Sequence, residues 1–415
     1  MQRARGTRRS PLRALLVVFT ATAIAACTEA GADRSLATVR DSAGITIVEN
    51  RSPDDSAAIP WLTASGPVLD IGGPDAEGEH ALFRVNAATR LTDGSVMVGN
   101  SGSFELRRFA ADGTVLGSSG RSGDGPGEFR SITSITRGPA DTIYVHDNSQ
   151  RRLSVHTSDG AFVRISRLDA QSGGSILGTL ADGTIAATVS APSVDPSSPA
   201  TIPDGRLRPD AFVIRYGMDG TVLDTLGRFP TTERAIRTTS RAGTITSIEI
   251  MTLPFGHATA FAASTAVVAV GTQDDPEIRM YGTDGTLQRI VRLGRPVQPI
   301  TEALRAAWIE RRMESTPPER QADVRRSYES VPLVETVPTH GRILFDDTGR
   351  MWVEDADRPD QPAGRWTVYG VDGRMLARIA LPDRFRPLDI AAGEIIGIWR
   401  DDLDVEHLQR YTILN

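Results

Sequence analysis

RLTDGSVMVGN, residues 90–100, followed by ELRRFAADGTVLG, residues 105–117, is the stretch whose reading decides the fold. It alternates short β-branched or apolar runs with Asp-Gly turns, and Asp-Gly between alternating apolar residues is the strongest local signal for a β-hairpin. The unit recurs along the chain. GPADTIYVHDNSQRRLSVHTSDGAFVRIS covers 138–166, and TLADGTIAATVS (179–190) with AFVIRYGMDGTVLDTLG (211–227) forms a third copy around a Pro/Ser-rich loop. STAVVAVGTQDDPEIRMYGTDGTLQRIVRL (264–293) is a fourth, and ILFDDTGRMWVEDAD (343–357) with RWTVYGVDGRMLARIAL (365–381) is a fifth. Each holds about four strands in about 40 residues, the signature of a propeller blade.

The C-terminal stretch, with DIAAGEIIGIWRDD (389–402) and HLQRYTILN (407–415), supplies strands for most of one more blade. Two isolated strands precede the first blade, GITIVEN (44–50) and PVLDIGG (67–73). A radial array that left its last blade open would expose unpaired backbone groups. The expected architecture is therefore all-β, a six-bladed β-propeller whose sixth blade is closed by an N-terminal strand, spanning 44–415 and entered by that closing strand within about 20 residues of Cys27.

One segment breaks the pattern. TEALRAAWIERRMESTPPERQADVRRSYES, 301–330, predicts a helical insertion: Thr301 suits an N-cap, Leu304 and Trp308 share a face, Pro317-Pro318 interrupts, and Val324 with Tyr328 marks a second helical face. The insertion packs on one propeller face or serves as a lid or docking element.

Before the repeats, residues 1–26 carry five arginines and no acidic residue, then an apolar run from Leu15 to Ala26. That run is too short for a membrane-spanning helix, which needs about 20 residues, and it has the outline of an export signal. Ile24-Ala25-Ala26-Cys27 resembles the lipobox of bacterial lipoproteins, which implies cleavage before Cys27, diacylation of its thiol with a fatty acid such as palmitate, and membrane attachment. Thr7-Arg8-Arg9-Ser10-Pro11-Leu12-Arg13 resembles a twin-arginine export motif, with proline where that motif has an aromatic, so both that route and general secretion stay open. Thr28 stands where an aspartate would, in lipoproteins, favour the inner membrane; its identity points to the outer membrane, on the periplasmic or surface side. Residues 27–43 then form a lipidated tether.

The chain has a net charge of −6. Removing the signal's five positive charges gives −6 − 5 = −11. An acidic body argues against nucleic acid as a partner. Cys27 is the only cysteine, so disulfides and thiolate metal sites are excluded.

The chain as a whole resembles the bacterial six-bladed β-propeller lipoproteins related to NHL-repeat propellers. The resemblance rests on DSAGITIVEN (41–50), GRSGDGPGEFRSITSI (120–135) and TIYVHDNSQRRLSVHTSDG (142–160), in that order. It implies a fold and an envelope location, with no shared catalytic activity.

Chemistry-bearing constellations are scarce. No zincin, nucleophile-elbow or dinucleotide-binding motif is present. GRSGDGPGEF (120–129) lacks the lysine and following helix of a phosphate loop, and reads as an inter-blade connection in which Asp124 and Glu128 are the only candidates for calcium. His80, His257 and His340 each precede the first strand of a blade; were they to converge on one channel mouth they would make a three-histidine zinc site, and as independent loop residues they would not. Asp93, Asp112, Asp159, Asp182, Asp219, Asp284 and Asp372 read as turn residues. Trp61, Trp308, Trp352, Trp366 and Trp399 read as packing. No cofactor beyond zinc or calcium is suggested. Two functions remain: a non-catalytic binding or scaffolding module for a protein, peptide or glycan, or a metal-dependent hydrolase or lyase with its site in the channel, as the related propeller lactonases and peptidyl-hydroxyglycine lyases imply.

Overall fold

The computed structural model describes residues 37–52, 59–168, 174–191, 205–241 and 244–414. Cys27 and residues 1–26, where the export signal is expected, lie outside the described residues. Four strands open the described chain: β1 (Ala37–Ser42), β2 (Ile45–Asn50), β3 (Ile59–Thr63) and β4 (Leu69–Gly72). Six antiparallel sheets follow, and we number them as blades I to VI. Their inner strands are Val85–Arg90, Ser134–Arg137, Gly174–Thr179, Ala260–Ala263, Ile343–Phe345 and Phe385–Ala391.

Blades I to V are complete four-stranded sheets made by the local hairpins that the repeats predict. All seven expected turn aspartates do the same work: each carboxylate accepts a hydrogen bond from the backbone N–H two residues on, as Asp93 does from Ser95 at 2.9 Å and Asp219 from Thr221 at 3.1 Å. An Asx turn of this kind imitates a backbone turn and fixes the hairpin register.

Second strands such as Val96–Asn100 and Ile143–Asp147 are buried along their whole length, whereas the outer strand Val115–Ser119 alternates between partly buried and exposed. A strand flanked by a blade on each face has no solvent side, so apolar residues fill both. The core is accordingly divided among the junctions between blades. Leu91, Met97 and Leu106 of blade I meet Phe129, Ile132 and Ile143 of blade II. Comparable clusters lie at II/III, III/IV, IV/V and V/VI. The sixth junction joins the two ends of the array: Ile396, Ile398 and Leu408 of blade VI, with Leu69 and Ile71 of β4, pack on Val85, Val96, Val98 and Phe109 of blade I. That last cluster closes the ring.

The fold is the expected six-bladed propeller with its sixth blade closed by an N-terminal strand, but that strand comes from the 67–73 stretch and not from 44–50. Blade VI contributes three strands of its own, and its fourth is β4, Leu69–Gly72, antiparallel to Glu406–Leu414. The 44–50 stretch closes nothing: β2 lies parallel to Leu287–Arg292 at the outer edge of blade IV, with β1 paired to its far side. The tether expected over 27–43 also ends earlier, because β1 occupies Ala37–Ser42. β3 runs parallel to Met375–Ala380 of blade V and antiparallel to the end of Glu406–Leu414 in blade VI. Asn50 fastens this strap. Its side-chain amide donates to the Arg292 and Gly373 carbonyls and accepts from the Met375 N–H, joining blade IV to blade V.

The helical insertion forms as predicted, as α1 (Glu302–Glu314) and α2 (Pro318–Ser330). Thr301 caps α1, accepting from the Leu304 N–H at 3.1 Å. Trp308 meets the Tyr328 ring edge-on at 5.1 Å, and Arg305 donates to the Tyr328 carbonyl near the end of α2. A second insertion was not read from the sequence. Arg234–Arg241 and Thr244–Thr252 form a hairpin with Arg206–Leu207, outside the blades, and Ala235 and Leu253 pack against Val331 and Val334 just after α2.

Candidate functional site

Two concave regions lie at opposite ends of the inner strands. The first is a cavity of about 310 Å3 at the C-terminal ends of all six inner strands, where the channel opens. Because each blade brings its inner strand to the same depth, equivalent positions face one space. Blades I to IV contribute hydroxyls there, from Thr89, Thr136, Thr179, Ser264 and Thr265, and blade II adds Arg137. Blades V and VI contribute Asp346, Asp347 and Asp389, with Phe345 and Leu388 among the apolar lining.

These groups are not equally available. The Asp346 side chain is spent on its own turn and on Trp352, whose indole N–H donates to it at 3.0 Å. Asp347 accepts from the Ala392 N–H at 2.9 Å. Asp389 accepts through one oxygen from the Arg90 N–H at 2.7 Å and the Thr89 hydroxyl at 3.1 Å. Asp389 is half-buried in the channel wall, and burial raises its carboxyl above the usual carboxylate range, opposed by these two hydrogen bonds. Arg137 donates to the Arg90 carbonyl at 3.0 Å. No hydrogen bond from the hydroxyls of Thr136, Thr179 or Thr265 to a described residue is seen.

The second region is a smaller cleft, about 80 Å3, beside the segments that lead into blade V. Its centre is Asp355, 12% exposed, which faces three guanidinium groups: Arg295 at 2.5 Å, Arg365 at 3.2 Å and Arg378 at 3.2 Å. Arg295 also donates to the Thr367 hydroxyl at 2.9 Å. These bonds tie the approach to blade V to its third and outer strands, so the cluster is a fastening as much as a cleft.

The structure does not gather the three candidate histidines. His80 sits beside the Gly113 carbonyl at 3.3 Å and near the Phe109 ring. His257 has Asp274 at 2.9 Å on one ring nitrogen and the Thr336 carbonyl at 2.9 Å on the other. His340 is wholly buried, with Nδ1 at 2.8 Å from the Gly341 carbonyl and Nε2 against Gly271. Among the described residues no three His, Cys, Asp or Glu side chains are placed to hold one metal ion. Asp124 and Glu128 are likewise engaged separately, Asp124 with Arg130 and Glu128 with Arg121 and the Gly125 N–H. Their loop joins blades I and II as expected, and the buried Arg152 donates to its Asp124 and Gly125 carbonyls. Trp352 and Trp366 are fully buried at the V/VI junction with Trp61, Trp308 packs edge-on within the helical insertion, and no tryptophan is among the described residues that line the channel cavity.

What sequence reasoning missed is the channel ring itself. The signal was present: the six inner strands end in ATR, ITR, LGT, AAST, FDD and LDI, so superimposing the repeats places a hydroxyl or an acid at each.

No family model matches the chain, and no curated protein matches it. Among solved structures, a Bacteroides fragilis protein described as exported is similar over 88% of this chain and 98% of its own, at 11% identity and a TM-score of 0.47. A DUF4221 family member from Bacteroides vulgatus is similar over 86% and 99%, at 9% identity and a TM-score of 0.45. A streptogramin B lyase structure is similar over 85% and 96%, at 11% identity and a TM-score of 0.39.

Proposed function

We propose that this chain is a bacterial envelope lipoprotein, exported, cleaved before Cys27 and held by lipid on that cysteine, whose propeller is a non-catalytic binding module for a protein, peptide or glycan. Thr28 favours the outer membrane as its site. The observation that carries the binding role is the make-up of the channel cavity: hydroxyls from four blades, with acids from only two and no histidine or asparagine among the lining residues. A metal-dependent hydrolase or lyase needs ligands converging from several blades on one point. A concave site that combines apolar walls with a few placed polar groups is what a binding module needs, and this lining has both. The sequence Ile24-Ala25-Ala26-Cys27 supports the anchor.

Labelling with palmitate in a bacterial host tests it. The wild-type protein takes up label and sediments with membranes; Cys27→Ser takes up none and is released, with its propeller intact by circular dichroism. Membrane attachment that survives Cys27→Ser overturns the anchor. Stoichiometric zinc or calcium in the purified protein, coupled to turnover of an ester or lactone, overturns the non-catalytic role.

A further inference from the structure

We propose that the cavity at the C-terminal ends of the inner strands binds a single neutral sugar ring of a glycan; this rests on the binding-module reading and narrows it to one ligand class and one site. Three features carry it. First, the cavity holds about 310 Å3, at the low end of the roughly 300–1,000 Å3 that small-ligand sites occupy, which suits one ring and not a folded peptide segment.

Second, its polar groups match a polyol. Thr136, Thr179 and Thr265 each present a hydroxyl that can donate and accept, and each is free of hydrogen bonds to described residues. They come from three successive blades, so they line one side of the cavity, with Asp347 and Asp389 of blades V and VI also in its wall. Asp389 keeps one carboxyl oxygen clear of the bonds that hold the other, and Arg137 adds donors from the neighbouring side. Carboxyl and guanidinium groups make the paired hydrogen bonds by which vicinal hydroxyls are recognised. Third, Phe345 gives the lining an aromatic surface against which the C–H face of a sugar can pack.

Charge selects against the alternatives. The lining holds one arginine, itself paired with Asp141 at 3.7 Å, and three aspartates, Asp346, Asp347 and Asp389, so the cavity has no positive excess to hold a phosphate or a peptide carboxylate.

The test is saturation-transfer NMR on the lipidated full-length mature protein in detergent, with D-glucose, D-galactose, D-mannose and N-acetylglucosamine as probes. At least one of the four receives saturation from the protein. Thr179→Leu, which fills the cavity and removes a hydroxyl, weakens that binding tenfold or more. Thr265→Val, isosteric and at an exposed position, weakens it a few-fold and leaves the unfolding midpoint unchanged, which separates loss of the site from loss of the fold. Absence of transfer to all four sugars overturns the proposal, as does undiminished transfer in both variants or displacement of the sugar by inorganic phosphate or trialanine. Failure here leaves the anchored-module reading to be judged on palmitate labelling, which does not involve the channel.

Discussion

Acidification should weaken this propeller well before its carboxylates protonate, and two buried histidines set the size of the effect. His340 is 0% exposed and burial pushes it down from 6.5 to about 4, with Arg295 and His257 adding to the shift and the Gly341 carbonyl opposing it. His146 is 3% exposed in the second strand of blade II, and burial lowers it to about 4 against the opposing charge of Asp147. In the unfolded chain both take up a proton near 6.5, whereas the native state resists until about 4, so the unfolded state binds more protons across that interval. Stability is then complete above the unfolded value and falls as pH drops from 6.5 toward 4. At about pH 5 each histidine has removed roughly 2 kcal/mol relative to neutral pH, roughly 4 for the pair. The assay is urea unfolding followed by tryptophan fluorescence at about pH 7.5 and about pH 5, on the wild type and on His146→Asn/His340→Asn; the acid-induced loss between the two conditions should shrink by roughly 4 kcal/mol in the double variant. Asparagine is offered as a polar replacement able to keep a hydrogen bond to the Gly341 carbonyl or the Thr133 hydroxyl. An equal acid-induced loss in both proteins would refute the reasoning.

Other outcomes follow from the packing. Asp355→Ala leaves three converging guanidinium groups without their shared carboxylate, and thermal unfolding should report a loss of about 3 kcal/mol. Asp389→Asn removes a carboxyl whose charged form burial disfavours while keeping an acceptor for Thr89 and Arg90, so its unfolding midpoint should rise at neutral pH, with the gain disappearing on acidification. Trp308→Ala opens the contact among Phe255, Trp308 and Tyr328 and costs about 3 kcal/mol, with the insertion cleaved faster by protease while the blades resist. Ile71→Pro strikes the ring's closing strand and should abolish cooperative unfolding, whereas removal of residues 1–52, which takes β1 and β2 from the outer edge of blade IV, should lower the midpoint and leave a cooperative transition.

Hairpins were legible in the sequence because their instructions are local. Asp93-Gly94 or Asp219-Gly220 states both the turn and, through the carboxylate, its register. The α1 boundary was legible for the same reason, since Thr301 and Pro317 act on their neighbours. Strand character was visible in 44–50 too, but not its partner, because parallel pairing with Leu287–Arg292 depends on a free outer edge more than 200 residues away. The hairpin over 234–252 has alternating Ile and Thr that could have marked it, yet it lacks the Asp-Gly turn of the repeats and was passed over. The proposed site was hidden for a further reason. Its residues fall one or two per blade, each indistinguishable from an ordinary strand-end threonine until a circle brings them together.

The strap made by β1 to β4 imposes an order on the life of the molecule. A chain synthesised N-terminus first delivers these strands before any of the blades they belong to. β2 pairs at once with β1 but has no blade to join until Leu287–Arg292 has arrived, and β4 waits for Glu406–Leu414, the last of the described strands. Early blades can collapse as they appear, but the ring stays a crescent, with the apolar flank of blade I uncovered, until Glu406–Leu414 has been made. A nascent protein of this design is thus exposed to proteases and self-association in proportion to its transit time, and a truncation near the C-terminus forfeits two partners at once: the missing strand, and the first strands made, which it was to have paired.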